Sequence, residues 1–199
     1  MKKISFYVEP FAPSGLFLVI FSWEPCRSTA VLTSVLVHEL AHFAAMKMCG
    51  GTLESIRITA FGINMGFSLP KTYSEECFVA AAGPIISFVY AYIGCLRGGK
   101  FGQEVFVFSL LLGLVNMIPI ASFDGSRILK SAIASLCGID AAEKAANAVS
   151  AFFLLVIWVV AVYILFYSGA NFALLLFCAY IFIFTVIKKD CNFTDKMLQ

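Results

Sequence analysis

The sequence contains few charged residues. Asp, Glu, Lys and Arg make up 13% of the 199 residues, whereas hydrophobic residues make up 61%. Soluble globular proteins have about 25% charged and about 45–50% apolar residues. A soluble chain of this size could not cover so much apolar surface, so the composition predicts a protein that spans a lipid bilayer. The net charge of +2 is too small to form a nucleic-acid surface, and we expect no nucleic-acid partner.

The sequence also lacks the cysteine patterns of a zinc ribbon or a disulfide framework. Its seven cysteines are spread along the chain, no two of them form a C-x-x-C pair, and their number is odd. Such patterns are what identify metal-binding or disulfide-rich domains from sequence. We interpret these cysteines as small apolar side chains of a membrane bundle.

Six segments are apolar enough to cross a membrane, which takes about 20 residues of helix. We therefore predict an all-α membrane protein with about six transmembrane helices in a single domain over residues 1–199. The first segment follows Met1-Lys2-Lys3 without a clear signal-peptide cleavage site, so we expect it to be retained. The segments are about Phe11–Trp23, Ser28–Cys49, Glu76–Leu96, Glu104–Ile118, Ala148–Tyr167 and Phe172–Ile187.

The basic residues predict the orientation of these spans. With the N-terminus in the cytoplasm, eleven of the fourteen Lys and Arg residues fall on the cytoplasmic side. Only Arg27, Arg97 and Lys100 fall outside. This is the distribution that the positive-inside rule describes. We therefore expect a multi-pass protein of the cytoplasmic membrane with both termini in the cytoplasm.

Residues 52–68 differ from the spans. The stretch is too apolar for a solvated loop, and Gly62 and Gly66 make it too glycine-rich for a helix. Its partial alternation predicts two short strands that turn near Gly62, in a membrane-embedded hairpin-like or re-entrant segment. An irregular loop packed against the bundle is an equal alternative.

The only two histidines of the chain lie in His38-Glu39-Leu40-Ala41-His42, which matches H-E-x-x-H. On a helix, residues four apart share one face, so both imidazoles can bind one metal ion while Glu39 reaches a water beside it. A histidine in a membrane helix can also be merely hydrogen-bonded. However, ionisable groups inside a membrane are costly and usually mark function.

A catalytic zinc site usually has three protein ligands, and Asp124 is the candidate for the third. The predicted fourth span has 15 residues, or about 22 Å of helix, which is shorter than the ~30 Å bilayer core. Pro119 then breaks the helix, so extended chain would place Asp124 at the depth of the histidines. The alternative is that Asp124 only caps the helix that starts near Gly125.

Three motifs in this order resemble the site-2 protease family of intramembrane metalloproteases. They are His38–His42 as H-E-x-x-H, Ala82-Gly83-Pro84 as the A-G-P signature, and Asn116-Met117-Ile118-Pro119 with Phe123-Asp124-Gly125 as N-x-x-P…D-G. Within the family, the sequence is most similar to the small bacterial members like sporulation factor IVFB. One departure is Gly125-Ser126, where the family often has two glycines.

The resemblance implies a role for each matching residue. His38, His42 and Asp124 would bind one zinc ion, and Glu39 would be the catalytic base. Asn116 would lie near the site and contact substrate or an oxyanion. Gly62 and Asn64 would contact substrate from the hairpin-like segment. No PDZ-like insertion and no C-terminal regulatory domain are expected.

The implied activity is hydrolysis of peptide bonds in transmembrane or membrane-anchored proteins, with release of a regulator. A regulatory membrane protein is a further expected partner, and the oligomeric state is left open.

One alternative function is a metal transporter, but a transporter would not require Glu39 and would show polar residues in more spans. A catalytically inert scaffold of the same fold is another alternative. A prenyl-processing protease would need a Glu or His as its third zinc ligand on a later helix. The later spans contain no histidine, and Glu104 lies on the wrong side of the membrane.

Overall fold

The structure, a computed structural model, describes residues 5–8, 24–59, 62–68, 72–121 and 123–168. The chain is predominantly helical there. In chain order the elements are β1 (Ser5–Val8), α1 (Pro25–Met48), β2 (Thr52–Thr59), β3 (Gly62–Ser68), α2 (Tyr73–Arg97), α3 (Gly99–Met117), α4 (Asp124–Cys137) and α5 (Ile139–Ser168).

Four of these helices, α1, α2, α3 and α5, are long and apolar enough to cross a membrane. They overlap the second to fifth predicted spans, so the expected apolar helices are confirmed in this part of the chain. In α5, an 18-residue stretch has a mean hydropathy of 2.8 and is only 11% buried against the rest of the protein. Such a surface suits contact with lipid. The predicted spans Phe11–Trp23 and Phe172–Ile187 lie outside the described residues, and the count of six stays a prediction.

Two of the expected helix boundaries were wrong. Helix α3 begins at Gly99, not near Glu104, and α5 begins at Ile139, well before Ala148. Hydropathy missed these first turns because they contain charged or small residues. The inference that the fourth span is too short for a bilayer is therefore also wrong, since 19 residues of helix rise about 28 Å.

Helices α2 and α3 are joined by a single residue. Helix α2 ends at Arg97, and both Gly98 and Gly99 have positive φ, of 63° and 68°. Side-chain-bearing residues rarely adopt this conformation, whereas glycine does so without a steric cost. The glycine pair therefore allows the chain to turn sharply, and α2 and α3 pack along each other.

Four charged residues connect the beginning of α1 to the beginning of α3. Arg27 forms a two-pronged ion pair with Glu104, with Nη2 3.0 Å from Oε1 and Nε 3.2 Å from each carboxylate oxygen. Lys100 Nζ lies 2.6 Å from Glu24 Oε1. We call these four residues the terminal charge cluster. Because α1 and α3 begin at the same end, these two helices run in the same direction.

The three strands form one sheet in the order β1-β2-β3. Strand β2 pairs in antiparallel fashion with β3, from Thr52 opposite Ser68 to Thr59 opposite Gly62, and it pairs in parallel with β1. Strand β1 was not expected from the sequence, because four residues are too few for a periodic signal. The position of the residue 52–68 segment relative to a membrane stays a prediction.

The chain divides into two compact units, Met1–Met117 and Ile118–Gln199. In the first unit, α1 packs on α2 through a buried cluster of Ala45, Met46 and Val79. In the second unit, α4 packs on α5, and Lys130 Nζ lies 2.9 Å from Glu143 Oε1. The five cysteines within the described residues are free thiols.

Candidate metal centre

His38 and His42 lie on one buried face of α1. They are 4% and 5% exposed, in a stripe with Ala30, Ser34 and Ala45. The Nε2 atoms of the two imidazoles are 3.2 Å apart, and the rings meet edge to face with their centroids 4.8 Å apart. The four-residue spacing on a helix therefore brings both rings to one point, as the motif predicted.

The opposite side of α1 is apolar and exposed. Leu32, Leu36 and Leu40 repeat every four residues there, and each is at least 38% exposed. Helix α1 therefore has one face that packs against the other helices and one apolar face that is exposed. The histidines lie on the packed face, so they point toward α2.

Helix α2 supplies a hydrogen-bond partner for the Nδ1 atom of each imidazole. His38 Nδ1 lies 2.8 Å from Ser87 Oγ, and His42 Nδ1 lies 2.8 Å from the carbonyl oxygen of Val79. Contacts of this kind orient the ring of a metal-binding histidine and select its tautomer. Both Nε2 atoms are consequently turned toward each other.

Gly83 of α2 lies directly beside the two imidazoles. A Cβ atom at this position would overlap His42 Nε2, and it would lie 2.6 Å from His42 Cε1 and 2.8 Å from His38 Cε1. Real Cβ atoms essentially never approach other atoms so closely. The missing side chain of Gly83 therefore allows the edges of both imidazoles to lie directly against the backbone of α2.

Glu39 follows His38 on α1 and is half-buried. Its position next to the first histidine is the one that H-E-x-x-H motifs use for a catalytic base.

Glu104 was expected to lie on the wrong side of the membrane to be a metal ligand. In the structure it is paired with Arg27, which precedes His38 by eleven residues on α1. Eleven residues of helix correspond to about 16 Å.

In the second unit, Asp124 is the first residue of α4 and is 9% exposed. The N-cap position of this helix is Phe123, which makes no side-chain capping hydrogen bond. Asp124 therefore lies in the first turn of α4 and not at the N-cap position that the alternative gave it, and its role stays a prediction. Its carboxylate lies 4.0 Å from Arg127 Nη1, which is a long contact.

Three described residues between α3 and α4, Pro119, Ile120 and Phe123, make contacts within the second unit. Ile120 is completely buried, and the Phe123 amide donates to the Ile120 carbonyl at 2.8 Å. Ser150 of α5 donates its hydroxyl to the Pro119 carbonyl at 3.0 Å. These contacts fix the broken chain that the N-x-x-P…D-G motif predicted, and they determine where α4 begins.

The remaining candidate residues lie in two places. Asn116 is half-buried near the end of α3, where its Nδ2 donates to the Leu112 carbonyl at 3.0 Å. This bond uses one of its two amide hydrogens. Gly62 and Asn64 are in β3, opposite Thr59 and Arg57 of β2. Strand β3 also contacts α1, the helix of the histidines.

Comparison with known proteins gives the family. Residues 98–160 match the model of the family described as Peptidase family M50. This match covers the N-x-x-P…D-G region, whereas the H-E-x-x-H motif lies outside it. A solved structure, the site-2 protease from Methanocaldococcus jannaschii, superposes with a TM-score of 0.67 over 93% of this chain and 91% of that one, at 20% identity.

Residues 98–160 thus match Peptidase family M50, and the chain has the site-2 protease fold. The expected family is thus confirmed, whereas the sporulation factor IVFB branch stays a prediction.

Two relatives in sequence support this assignment. A zinc metalloprotease of M. jannaschii is 28% identical over 128 residues, which are 59% of this chain and 37% of that protein. Rip3 of Mycobacterium tuberculosis, described as a candidate zinc metalloprotease, is 31% identical over 114 residues, which are 51% of this chain and 29% of Rip3. The chain thus matches about a third of the length of each of these relatives.

Sequence reasoning missed the two α2 groups that contact the histidines. Val79 contributes only a backbone carbonyl, which carries no sequence signal. Ser87 is one turn beyond the A-G-P signature, 49 residues from its partner His38. The signature itself did predict that α2 approaches the site, and Gly83 is its glycine.

Proposed function

We propose that this chain is an intramembrane zinc metalloprotease. The observation that carries this proposal is the 3.2 Å separation of the two Nε2 atoms of His38 and His42. Two nitrogens that are each about 2.0–2.1 Å from a tetrahedral zinc ion are separated by about 3.3–3.4 Å. One relative is named as a zinc metalloprotease and Rip3 is described as a candidate one, which agrees with this geometry.

The donor set fits zinc as well. His38, His42 and Asp124 would each offer one ligand atom to the ion. Two imidazoles and one carboxylate are a ligand set that catalytic zinc sites use, with the fourth position open for water or substrate.

The mechanism assigns separate roles to the protein groups. When bound, zinc lowers the pKa of a water molecule to about 7 and polarises the scissile carbonyl. Glu39 takes a proton from the attacking water and transfers it to the leaving amine. The Nδ1 contacts with Ser87 and Val79 hold the two imidazoles in place during these steps. Asn116 would donate its second amide hydrogen to the substrate or to the developing oxyanion.

The substrate is proposed to be a transmembrane or membrane-anchored segment, whose cleavage releases a regulator. A helix hides its carbonyls in internal hydrogen bonds, so the substrate must unwind before cleavage. Extended substrate would then pair with the residue 52–68 segment near Gly62 and Asn64, as an added strand. This segment would be embedded in the membrane beside the site.

The proposed setting is the cytoplasmic membrane, with six spans in one protease domain and both termini in the cytoplasm. The four described candidate spans agree with this arrangement. A reporter fused to Gln199 should then be active only if it reads the cytoplasm. A regulatory membrane protein is proposed as a further partner.

The test of the function uses the variant Glu39→Gln. Because Glu39 is the base and not a ligand, we expect cleavage of a co-expressed membrane-anchored substrate to fall by about 10²–10⁴-fold. The zinc content of the purified protein should stay at the wild-type level. Retained cleavage in this variant would exclude the mechanism, and a metal transporter would be insensitive to the change.

The ligand set is tested with Asp124→Ala and Asp124→Asn. Loss of an outer-shell partner typically costs about 10–100-fold in metal affinity. We expect Asp124→Ala to cost more than that, because it removes a direct ligand. Asp124→Asn keeps the shape but removes the charge, and it should also lower zinc affinity. Full zinc occupancy together with normal cleavage in Asp124→Asn would refute the assignment of Asp124.

A further inference from the structure

The hydroxyl group of Ser87, on α2, contacts the imidazole of His38. The residue is 1% exposed, and its Oγ lies 2.8 Å from His38 Nδ1. We propose that Ser87 is a positioning residue that fixes the ring of His38 for metal binding. This inference rests on the proposed function, because the ring orientation affects activity only if His38 binds a metal through Nε2.

The two imidazoles have chemically different partners. The Val79 carbonyl can only accept a hydrogen bond, so it requires the hydrogen of His42 to be on Nδ1. In a neutral ring the lone pair is then on Nε2, which is the tautomer that binds a metal. The geometry thus sets His42 in its metal-binding tautomer before any ion arrives.

Ser87 differs because a hydroxyl can donate or accept. In the absence of an ion, the 3.2 Å contact between the Nε2 atoms allows His38 to donate from Nε2 to His42. Ser87 then donates to His38 Nδ1. When His38 binds a metal, its hydrogen is on Nδ1 and Ser87 accepts it. A hydroxyl at this position therefore suits both tautomers of His38, and an alanine suits neither.

A matched control is present in the same bundle. Ser109 of α3 is 0% exposed, and its hydroxyl donates to Ser34 Oγ of α1 at 2.8 Å. Ser34 is one turn before His38 on the same buried face. Ser87→Ala and Ser109→Ala thus remove the same atom, from equally buried sites, and each breaks a contact with α1. Only the first of them contacts an imidazole.

The experiment measures Zn²⁺ affinity of the full-length protein in detergent, by competition with a chromogenic chelator. We expect Ser87→Ala to lower the affinity by about 10–100-fold and Ser109→Ala to leave it unchanged. The absorption spectrum of Co²⁺-loaded protein should change in Ser87→Ala only, because it reports ligand geometry. Equal affinities in Ser87→Ala and Ser109→Ala would overturn the inference.

A second variant keeps the packing. Ser87→Cys is similar in size, but its thiol is a weak hydrogen-bonding group. We expect it to lower the Zn²⁺ affinity as well, and it decides the question if Ser87→Ala does not fold. Wild-type affinity in Ser87→Cys would count against the proposal.

His38→Ala separates this inference from the proposed function. If His38→Ala binds Zn²⁺ as tightly as the wild type, the metal centre itself is wrong. If His38→Ala loses the metal while Ser87→Ala keeps it, the metal centre stands and only the positioning role of Ser87 fails.

Discussion

Helix α1 makes polar contacts with its neighbours in two regions, at its first turn and near its middle. At the first turn, the terminal charge cluster joins α1 to α3 through ion pairs whose side chains are 17–61% exposed. Near the middle, the imidazoles contact α2 through uncharged groups that are almost fully buried. The donor–acceptor distances are similar in both regions, between 2.6 and 3.0 Å for the main contacts.

The two regions differ in burial and not in distance, and burial changes the contribution that we expect from a polar contact. Exposed ion pairs typically stabilise a protein by about 0.2–1 kcal/mol, because water screens them. When a buried polar group loses its hydrogen-bond partner, the protein loses about 1–3 kcal/mol of stability. We therefore expect the buried region to control the metal centre and the terminal charge cluster to contribute modest stability. Three predictions test this division.

The largest effect is expected for Gly83→Ala. The added methyl group would overlap His42 Nε2 and crowd His38 Cε1, so the imidazoles must move apart. We expect the Zn²⁺ affinity to fall by more than the ~10–100-fold of an outer-shell change, measured by chelator competition.

Gly113→Ala is the control for this variant. Its Cβ would lie 2.7 Å from Phe88 Cε1, which is also too close a contact but one with a phenyl ring. It should cost about 1–3 kcal/mol of stability through overpacking and leave the Zn²⁺ affinity unchanged. Normal metal binding in Gly83→Ala would mean that zinc binding does not depend on the close approach of the imidazoles to α2.

A smaller effect is expected for the pair of Arg27 and Glu104. A double-mutant cycle with Arg27→Gln and Glu104→Gln, measured by thermal unfolding in detergent, should give a small favourable coupling, because water screens an exposed ion pair. The coupling should decrease in high salt. Zinc content should not change in any of the three variants. A loss of metal in Arg27→Gln would show that the two regions of α1 are coupled.

The smallest effect is expected for the contribution of Glu24 to the pH dependence of stability. The hydrogen bond from Lys100, together with its positive charge, lowers the pKa of Glu24. A carboxylate with a lowered pKa in the folded state contributes stability above its unfolded pKa, which is about 4.3 for Glu. That contribution is lost as the pH falls through the lowered folded value.

Lys100→Met should therefore unfold at a slightly lower temperature than the wild type near neutral pH. The difference between the two proteins should disappear in acid. Lys100→Arg keeps the charge and is the control. A difference that persists after Glu24 is protonated would show that Lys100 acts through packing and not through its ion pair with Glu24.

The metal-binding helix was predictable because its signals are local. The four-residue spacing of His38 and His42 predicts a shared helical face, and the structure places their Nε2 atoms together. Long apolar runs likewise predicted helices α1, α2, α3 and α5. Local spacing and average hydropathy are enough for both features.

What the sequence did not predict depends on partners far along the chain. The charged residues at the start of α3 lower the hydropathy there, so the sequence did not predict that the helix begins before Glu104. Their ion-pair partners at the start of α1 are 76 and 77 positions away in the sequence. The same holds for Ser87, whose partner His38 is 49 residues away. A single sequence shows which groups need partners, but it does not show which groups the fold brings to them.

The one-residue link between α2 and α3 has a consequence for the order in which contacts form. The facing glycines of these helices, Gly94 and Gly102, are close in sequence, whereas the contact of Arg27 with Glu104 spans 77 residues. Contacts between residues that are near in sequence form with little loss of chain entropy. We therefore expect α2 and α3 to associate as a helical hairpin soon after synthesis. Helix α1 would then dock its histidines against a surface that already contains Ser87 and Gly83.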